Sequence, residues 1–209
     1  MKRPTIPGPA DLCPSTSTGD QFDPSSSSSS SQQQQQSIFF IESSGEACLT
    51  ARQACSIESA ARSNPDLAIR VHIENEKRPL KNKKKETKKA AAGQTRSCTV
   101  TDSLKNLANV QLVYENLEHH LKDTPLWSLQ SKGRLNESLY PLMHWSDAAR
   151  VAILWRKGGI YMDLDVIVLR PVRCLRNTVG LVDYIPNWVE NGVMGMIYLS
   201  HLTDRKSVV

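Results

Sequence analysis

The sequence predicts an α/β domain built on a largely parallel sheet with right-handed crossovers, and three observations predict it. Short apolar runs of strand length alternate with stretches of helical periodicity between residues 37 and 130. A longer apolar helix follows and passes through Gly158-Gly159 directly into a further apolar run. That run, Ile160 to Leu169, carries Asp163 and Asp165 one residue apart, and charges on so apolar a strand are costly to bury without a partner. A divalent cation is the simplest partner.

Taken in order, Ser37-Ile-Phe-Phe-Ile-Glu-Ser-Ser reads as a first strand, apolar enough to be central in the sheet. Its carboxyl end, with Glu42 and Ser43, is where open α/β sheets bind nucleotides. Leu49 to Ser63 reads as a helix whose apolar face is Leu49, Ala54, Ile57, Ala60 and Ala61, ended by Asn64-Pro65. Leu67 to Ile73 alternates as a second strand with Leu67, Ile69, Val71 and Ile73 inward, which leaves His72 pointing out to solvent. Asn109 to Tyr114 is a third strand, Glu115 to Leu121 a short helix, and Leu126 to Gln130 a further helical turn. His119 and His120 are adjacent and point in different directions on that helix, so the two are not expected to share a metal.

The chain has 209 residues and a net charge of +5, but the basicity is local. Residues 70–96 hold ten Lys or Arg against three Glu, leaving 16 basic against 18 acidic elsewhere. This block, within a 74–98 insertion between two strands, lacks the interleaved aromatics of single-strand binders and is expected to be a solvated surface insertion. No nucleic-acid partner is expected. Residues 1–36 are rich in Pro and Ser and end in seven serines and five glutamines, a composition that cannot offset ordering entropy and predicts a disordered tail. The predicted folded domain is therefore 37–209. Cys48 and Cys55 are too far apart on a helix to bond to each other, so a disulfide must reach Cys98, Cys174 or a partner. No apolar run of about 18 residues is present, so no membrane span is expected in this chain.

In the central stretch, Ser146 reads as the N-cap of a helix beginning at Asp147, with Ala148, Val151, Ala152 and Trp155 as its core face. Asp147 and Arg150, three apart on another face, form either an ordinary capping ion pair or a grip on an anionic, polar ligand at the helix start. Gly158-Gly159 stops the helix, and a strand is predicted from Ile160 to Leu169. Alternation puts Tyr161, Asp163 and Asp165 on one side. Two carboxylates about 7 Å apart on an ideal strand share a cation only if the chain bends or one acts through ligand or water. Oxygen ligands with open positions suit Mg²⁺ or Mn²⁺ completed by substrate phosphates.

Ser-Asp-x-x-Arg, the apolar helix, Lys-Gly-Gly-Ile-Tyr-Met-Asp-Leu-Asp and Val-Ile-Val-Leu-Arg-Pro together resemble the glycosyltransferases with a sugar-binding region containing the DXD motif. The likeness is to the α-1,4-galactosyltransferase and α-1,4-N-acetylglucosaminyltransferase family, and it extends to Ile-Phe-Phe-Ile-Glu-Ser, Ala-Cys-Ser-Ile-Glu-Ser-Ala-Ala-Arg-Ser-Asn-Pro and Asn191-Gly192. The resemblance implies a GT-A type nucleotide-sugar-binding, Rossmann-like fold and a UDP-hexose donor with Mn²⁺ (or Mg²⁺). It also implies retaining transfer to a glycolipid or glycan acceptor, in the Golgi lumen.

Residue by residue, it makes Asp165 the direct metal ligand and Asp163 the carboxylate facing donor and the ion's water shell. Asp147 and Arg150 grip the donor sugar, Tyr161 lines the pocket, Asn191 faces the transferred sugar, and Glu42 and Ser43 lie at the uracil end. Family members usually carry a membrane anchor and continue past the Asn-Gly segment. The domain is therefore expected to be C-terminally incomplete, with donor binding retained. Two other readings of the motif are a haloacid-dehalogenase-type phosphatase, with Asp163 as nucleophile, and a non-catalytic interaction protein.

Overall fold

The computed structural model describes residues 36–75, 98–181 and 188–196. The predicted tail, the body of the basic insertion and the segment beyond 196 lie outside these residues. Strand β1 (Ser37–Glu42) is buried at every position, because it has a strand on either side and packed layers above and below. The other strands are β2 (Ala68–Glu74), β3 (Val110–Glu115), β4 (Gly159–Met162), β5 (Thr178–Leu181) and β6 (Val189–Met196). Their order is β3-β2-β1-β4-β6-β5. Pairing is parallel from β3 through β4, and β6 runs antiparallel to both β4 and β5. The chain leaves β1 for one side of the sheet and returns through β4 on the other, so the β1/β4 boundary is a topological switch point.

One face of the sheet, with Ile38, Phe40, Ile69, Val71, Ile73, Ile160 and Met162, packs on helix α1 (Ala51–Ser63) through Ala54, Ile57 and Ala60. Thr50 and Gln53 form a capping box at the start of α1, which places Cys48 before the helix and free to form a disulfide with Cys98. Beyond that bridge lie α2 (Thr99–Ser103) and a 3-10 turn, then β3, then the short helices α3 (Glu118–Leu121), α4 (Trp127–Ser131) and α5 (Arg134–Glu137). The opposite face, with Phe39, Ile41 and Tyr161, packs on α3 and on α6 (Pro141–Lys157). Among the described residues no helix is long and apolar enough to cross a membrane.

Three sequence expectations are corrected. Helix α6 begins at Pro141, not at Asp147, because a proline at the first helical position presets the backbone and His144 N already donates to Tyr140 O at 3.0 Å. Ser146 is thus inside the helix, and the buried stripe is turned: Trp145, Ala148, Ala149, Ala152 and Ile153 are covered, whereas Val151 and Trp155 are 39% and 40% exposed. His72 does not face solvent but is 1% exposed, because the α3/α6 layer covers that side of β2 and alternation no longer separates inside from outside.

The third correction concerns the motif strand, which ends at Met162 rather than Leu169. A turn follows at once, with Val166 N donating to Asp163 O at 3.1 Å. The apolar run then crosses α1 instead of pairing in the sheet. Serines on α1 take the place of a neighbouring strand: Ser56 Oγ donates to Val166 O at 2.6 Å, Ser63 Oγ to Val168 O at 3.0 Å, and Ser59 Oγ accepts from Val168 N at 2.9 Å. Asn64 Oδ1 extends the series by accepting from Val172 N at 2.7 Å. Every polar backbone group so served is one that an apolar run could not otherwise bury cheaply.

Candidate functional site

The site is assembled where β4 ends, beside β1 and β6. Gly158 closes α6 with a φ of 63°, and at Gly159, with φ 100°, a Cβ would stand 2.6 Å from the Phe39 ring and from Ser37 O. Two glycines therefore let α6 fold back tightly onto β4, which holds Arg150 of the helix over Tyr161 of the strand. The Arg150 guanidinium carbon lies 4.6 Å from the Tyr161 ring centroid.

Arg150 is 6% exposed and is the hub of the cluster. Its Nη1 stands 3.1 Å from Asp163 Oδ1 and donates to Asn191 O and Oδ1, both at 3.1 Å. Its Nη2 donates to Ser146 Oγ at 3.2 Å and lies 3.3 Å from Asp147 Oδ1. Asn191 Nδ2 donates to the same Asp147 oxygen at 3.1 Å, and Tyr161 Oη donates to Asp163 Oδ1 at 2.5 Å. Asp163 N in turn donates to Gly192 O at 2.8 Å, carrying the β4–β6 pairing one residue past the strand. Arg150 Nε is buried without a partner among the described residues, so the guanidinium keeps one donor in reserve.

Burial pushes the Asp163 carboxyl above the usual aspartate range, and the Asp165 and Asp147 charges add to this against the opposing Tyr161 hydrogen bond and Arg150 charge. Burial likewise pushes the Tyr161 phenol upward, with Arg150 opposing, so that this hydroxyl remains a donor. Asp165 differs from its neighbour. It sits on the turn, is exposed, and makes no hydrogen bond or ion pair among the described residues.

The bend after Met162 thus separates the roles that alternation on a straight strand would have equated. Asp163 is held by Tyr161 and Arg150, and Asp165 keeps its oxygens open. One open carboxylate beside one anchored carboxylate is an oxygen-only donor set, which fits a hard divalent ion that retains water and takes further oxygens from a diphosphate.

The structure brings five expected residues together, namely Asp147, Arg150, Tyr161, Asp163 and Asn191, with Asp165 on the adjoining turn. Glu42 and Ser43 are at the carboxyl end of β1, next to β4, and are nearly buried. Glu42 accepts from Ser44 N at 3.2 Å and from Ser44 Oγ at 2.8 Å. It borders a cleft of about 510 Å³ lined also by Ser44, Thr50, Gln53 and the Cys48–Cys98 bridge; Ser43 is not among its lining residues. Two contributors were not anticipated. Ser146, read as a cap, is a partner of Arg150, and its i, i+4 spacing to that residue was the available signal. Gly192 is the other, since a Cβ there would lie 3.0 Å from Asp163 Oδ2.

The profile described as "Glycosyltransferase sugar-binding region containing DXD motif" matches residues 50–185. Lactosylceramide 4-alpha-galactosyltransferase of Rattus norvegicus is 35% identical over 145 residues, 68% of this chain and 36% of that protein. The protein of that name from Homo sapiens is 34% identical over 144 residues, 68% of this chain and 37% of its own length. Alpha-1,4-N-acetylglucosaminyltransferase of Homo sapiens is 32% identical over 119 residues, 57% of this chain and 32% of that one. Among solved structures, PaToxG glycosyltransferase matches with a TM-score of 0.40 and 18% identity, covering 63% of this chain and 42% of that one. The chain spans little more than a third of the length of the lactosylceramide 4-alpha-galactosyltransferases above. With the profile covering well over half of its residues, on a mixed six-stranded sheet consistent with the GT-A fold, the chain belongs to the glycosyltransferases with a DXD-containing sugar-binding region.

Proposed function

We propose that the chain is the donor-binding part of a retaining hexosyltransferase. It would take galactose, N-acetylgalactosamine or N-acetylglucosamine from a UDP-sugar and pass it in α-1,4 linkage to a glycolipid or glycan acceptor. The observation that carries this reading is the buried Arg150, tied to Asp147, Asp163 and Asn191 at the sheet's switch point with Asp165 open beside it. Asp165 is assigned as direct ligand of Mn²⁺ (or Mg²⁺), and Asp163 as the carboxylate that meets the ion's water shell and the donor. A divalent ion there supplies Lewis-acid stabilisation of the departing diphosphate.

Arg150 has the remaining work of orientation. It holds Asp163 and Asp147 directly, and Asn191 bonds Asp147 as well, so that two acceptor carboxylates stand fixed for the sugar hydroxyls. Tyr161 supports the pocket from beneath, its ring under Arg150 and its hydroxyl donating to Asp163. Glu42 and the cleft beside it are assigned to the uridine end, with Ser44 rather than Ser43 facing the base. The Cys48–Cys98 disulfide supports an oxidising compartment such as the Golgi lumen.

Calorimetry with the three UDP-sugars, with and without Mn²⁺, tests the reading. Mn²⁺-dependent binding of at least one sugar nucleotide is expected. Heats that are the same with and without the ion, or none with any donor, would remove it.

A further inference from the structure

A second polar cluster lies two strands away from Asp163, at the β2–β3 edge of the sheet, and the donor reading makes no use of it. His72 of β2, Glu115 at the end of β3 and His120 of α3 turn toward one point. His72 Nδ1 and His120 Nε2 both bond the same oxygen, Glu115 Oε1, the latter at 2.8 Å. One ligand atom from each residue lies within 4.8 Å of the other two. The two imidazole rings stand edge to face with centroids 5.3 Å apart. Both histidines are buried, at 1% and 7% exposure, and the Glu115 side chain is 24% exposed.

We propose that His72, Glu115 and His120 form a binding site for a divalent transition-metal ion of the zinc class, which fastens the β2–β3 edge to α3. Two imidazoles and one carboxylate are a donor set zinc accepts with three protein ligands and a water. Bonds of about 2.0–2.2 Å put ligand atoms roughly 3.4 Å apart in a tetrahedron. The Glu115 oxygen, now close enough to bond both rings, therefore moves out by less than one bond length as an ion enters. Glu115 is the member open to solvent, and that is the side from which water fills the fourth position.

The ring of His72 is already fixed. It packs against Phe39 with centroids 5.7 Å apart, so presenting its nitrogen costs little further ordering. Nitrogen donors separate this site from the oxygen-only pair Asp163 and Asp165, since imidazole favours zinc, cobalt, nickel and copper over magnesium and manganese. His119, the exposed neighbour of His120, takes no part.

The test uses the whole chain carrying Cys55→Ser, which removes the exposed free thiol as a competing ligand. Chelator-treated protein is titrated with Co²⁺, followed by visible absorbance, and then with Zn²⁺. One equivalent of Co²⁺ giving tetrahedral bands that Zn²⁺ displaces is expected. His120→Gln and Glu115→Gln each weaken binding by about tenfold or more, while His119→Gln and the double change Asp163→Asn with Asp165→Asn leave it unaltered.

Because a buried substitution can unfold the chain, unsubstituted protein gives a second reading. One equivalent of Zn²⁺ shifts the imidazole proton resonances of His72 and His120 and not those of His119 and His144. Absence of the cobalt bands, a titration unchanged by His120→Gln, loss of binding in the double aspartate variant, or shifts confined to His119 and His144 each overturn the proposal.

Discussion

Two polar clusters sit under the same helical layer and are built in opposite ways. At the β4 end one cation is shared among several acceptors, with Arg150 reaching Asp147, Asp163 and Asn191. At the β2–β3 edge one anion is shared between two potential donors, with Glu115 between His72 and His120. The difference lies in what each leaves over. The arginine cluster is a frame for a carboxylate it does not consume, since Asp165 stays open on the turn. The glutamate cluster divides its one charge between the two rings, and the proposed ion would enter between them. A polar cluster at a switch point with an unspent charge reads as a site for substrate; one at the sheet edge with its charge spent reads as a fastening.

The largest effect that breaks this contrast is expected from Arg150→Ala. Removing a guanidinium whose side chain is 7% exposed leaves Asp163 and Asp147 without their shared partner. A loss of about 3–5 kcal/mol is expected in urea unfolding, together with loss of donor binding. Glu115→Gln comes next. It takes a charged acceptor from two buried imidazoles and is expected to cost about 1–3 kcal/mol, with Mn²⁺-dependent donor binding retained in whatever fraction stays folded. A result in which Glu115→Gln abolishes donor binding in folded protein would merge the two clusters into one function.

The same contrast predicts a pH profile for chelated protein. Burial holds His72 below its ordinary value of 6.5. Burial alone would raise the Glu115 carboxyl, but hydrogen bonds from His120 and His72 outweigh it and hold the group below its ordinary 4.5. Both pKa values are lower in the folded chain, so the unfolded chain takes up protons first as pH falls. The contribution of these two groups to stability is therefore full above pH 6.5, declines below it as His72 is charged in the unfolded state, and declines further below 4.5 through Glu115. Melting curves across this range check the sign, and Glu115→Gln should flatten the acidic part. The smallest effect is expected from Gly192→Ala. A methyl 3.0 Å from Asp163 Oδ2 displaces a carboxylate pinned by Tyr161 and Arg150, so donor affinity should fall several-fold while the melting temperature barely moves.

Much of the architecture was legible from local pattern. β1, β2 and β3 announced themselves as short apolar runs, and the periodic face of α1 matched the residues it buries. Two of the three errors share one cause, which is a partner distant in sequence. Val166 to Leu169 reads as a continuing strand because its composition is that of one, and only Ser56, Ser59 and Ser63 on α1 reveal why it leaves the sheet. His72 reads as solvated because a covering layer does not show in the strand it covers. The start of α6 was misplaced because Ser146 has the chemistry of a cap while it serves Arg150. At the site, Asp147, Arg150, Asp163 and Asn191 were legible as residue types in a spaced motif. Their assembly around a buried arginine, and the turn that frees Asp165, were not.

The proposed donor site turns on Asp165 as the open carboxylate through which a divalent ion joins the donor. Mn²⁺ titrated into the chain with UDP present, followed by electron paramagnetic resonance, tests it most directly. The free-ion signal is expected to be lost on adding protein and UDP together, and Asp165→Ala is expected to restore it while the fold is kept. A signal suppressed equally well by Asp165→Ala, or unaffected by the unsubstituted chain, would contradict it.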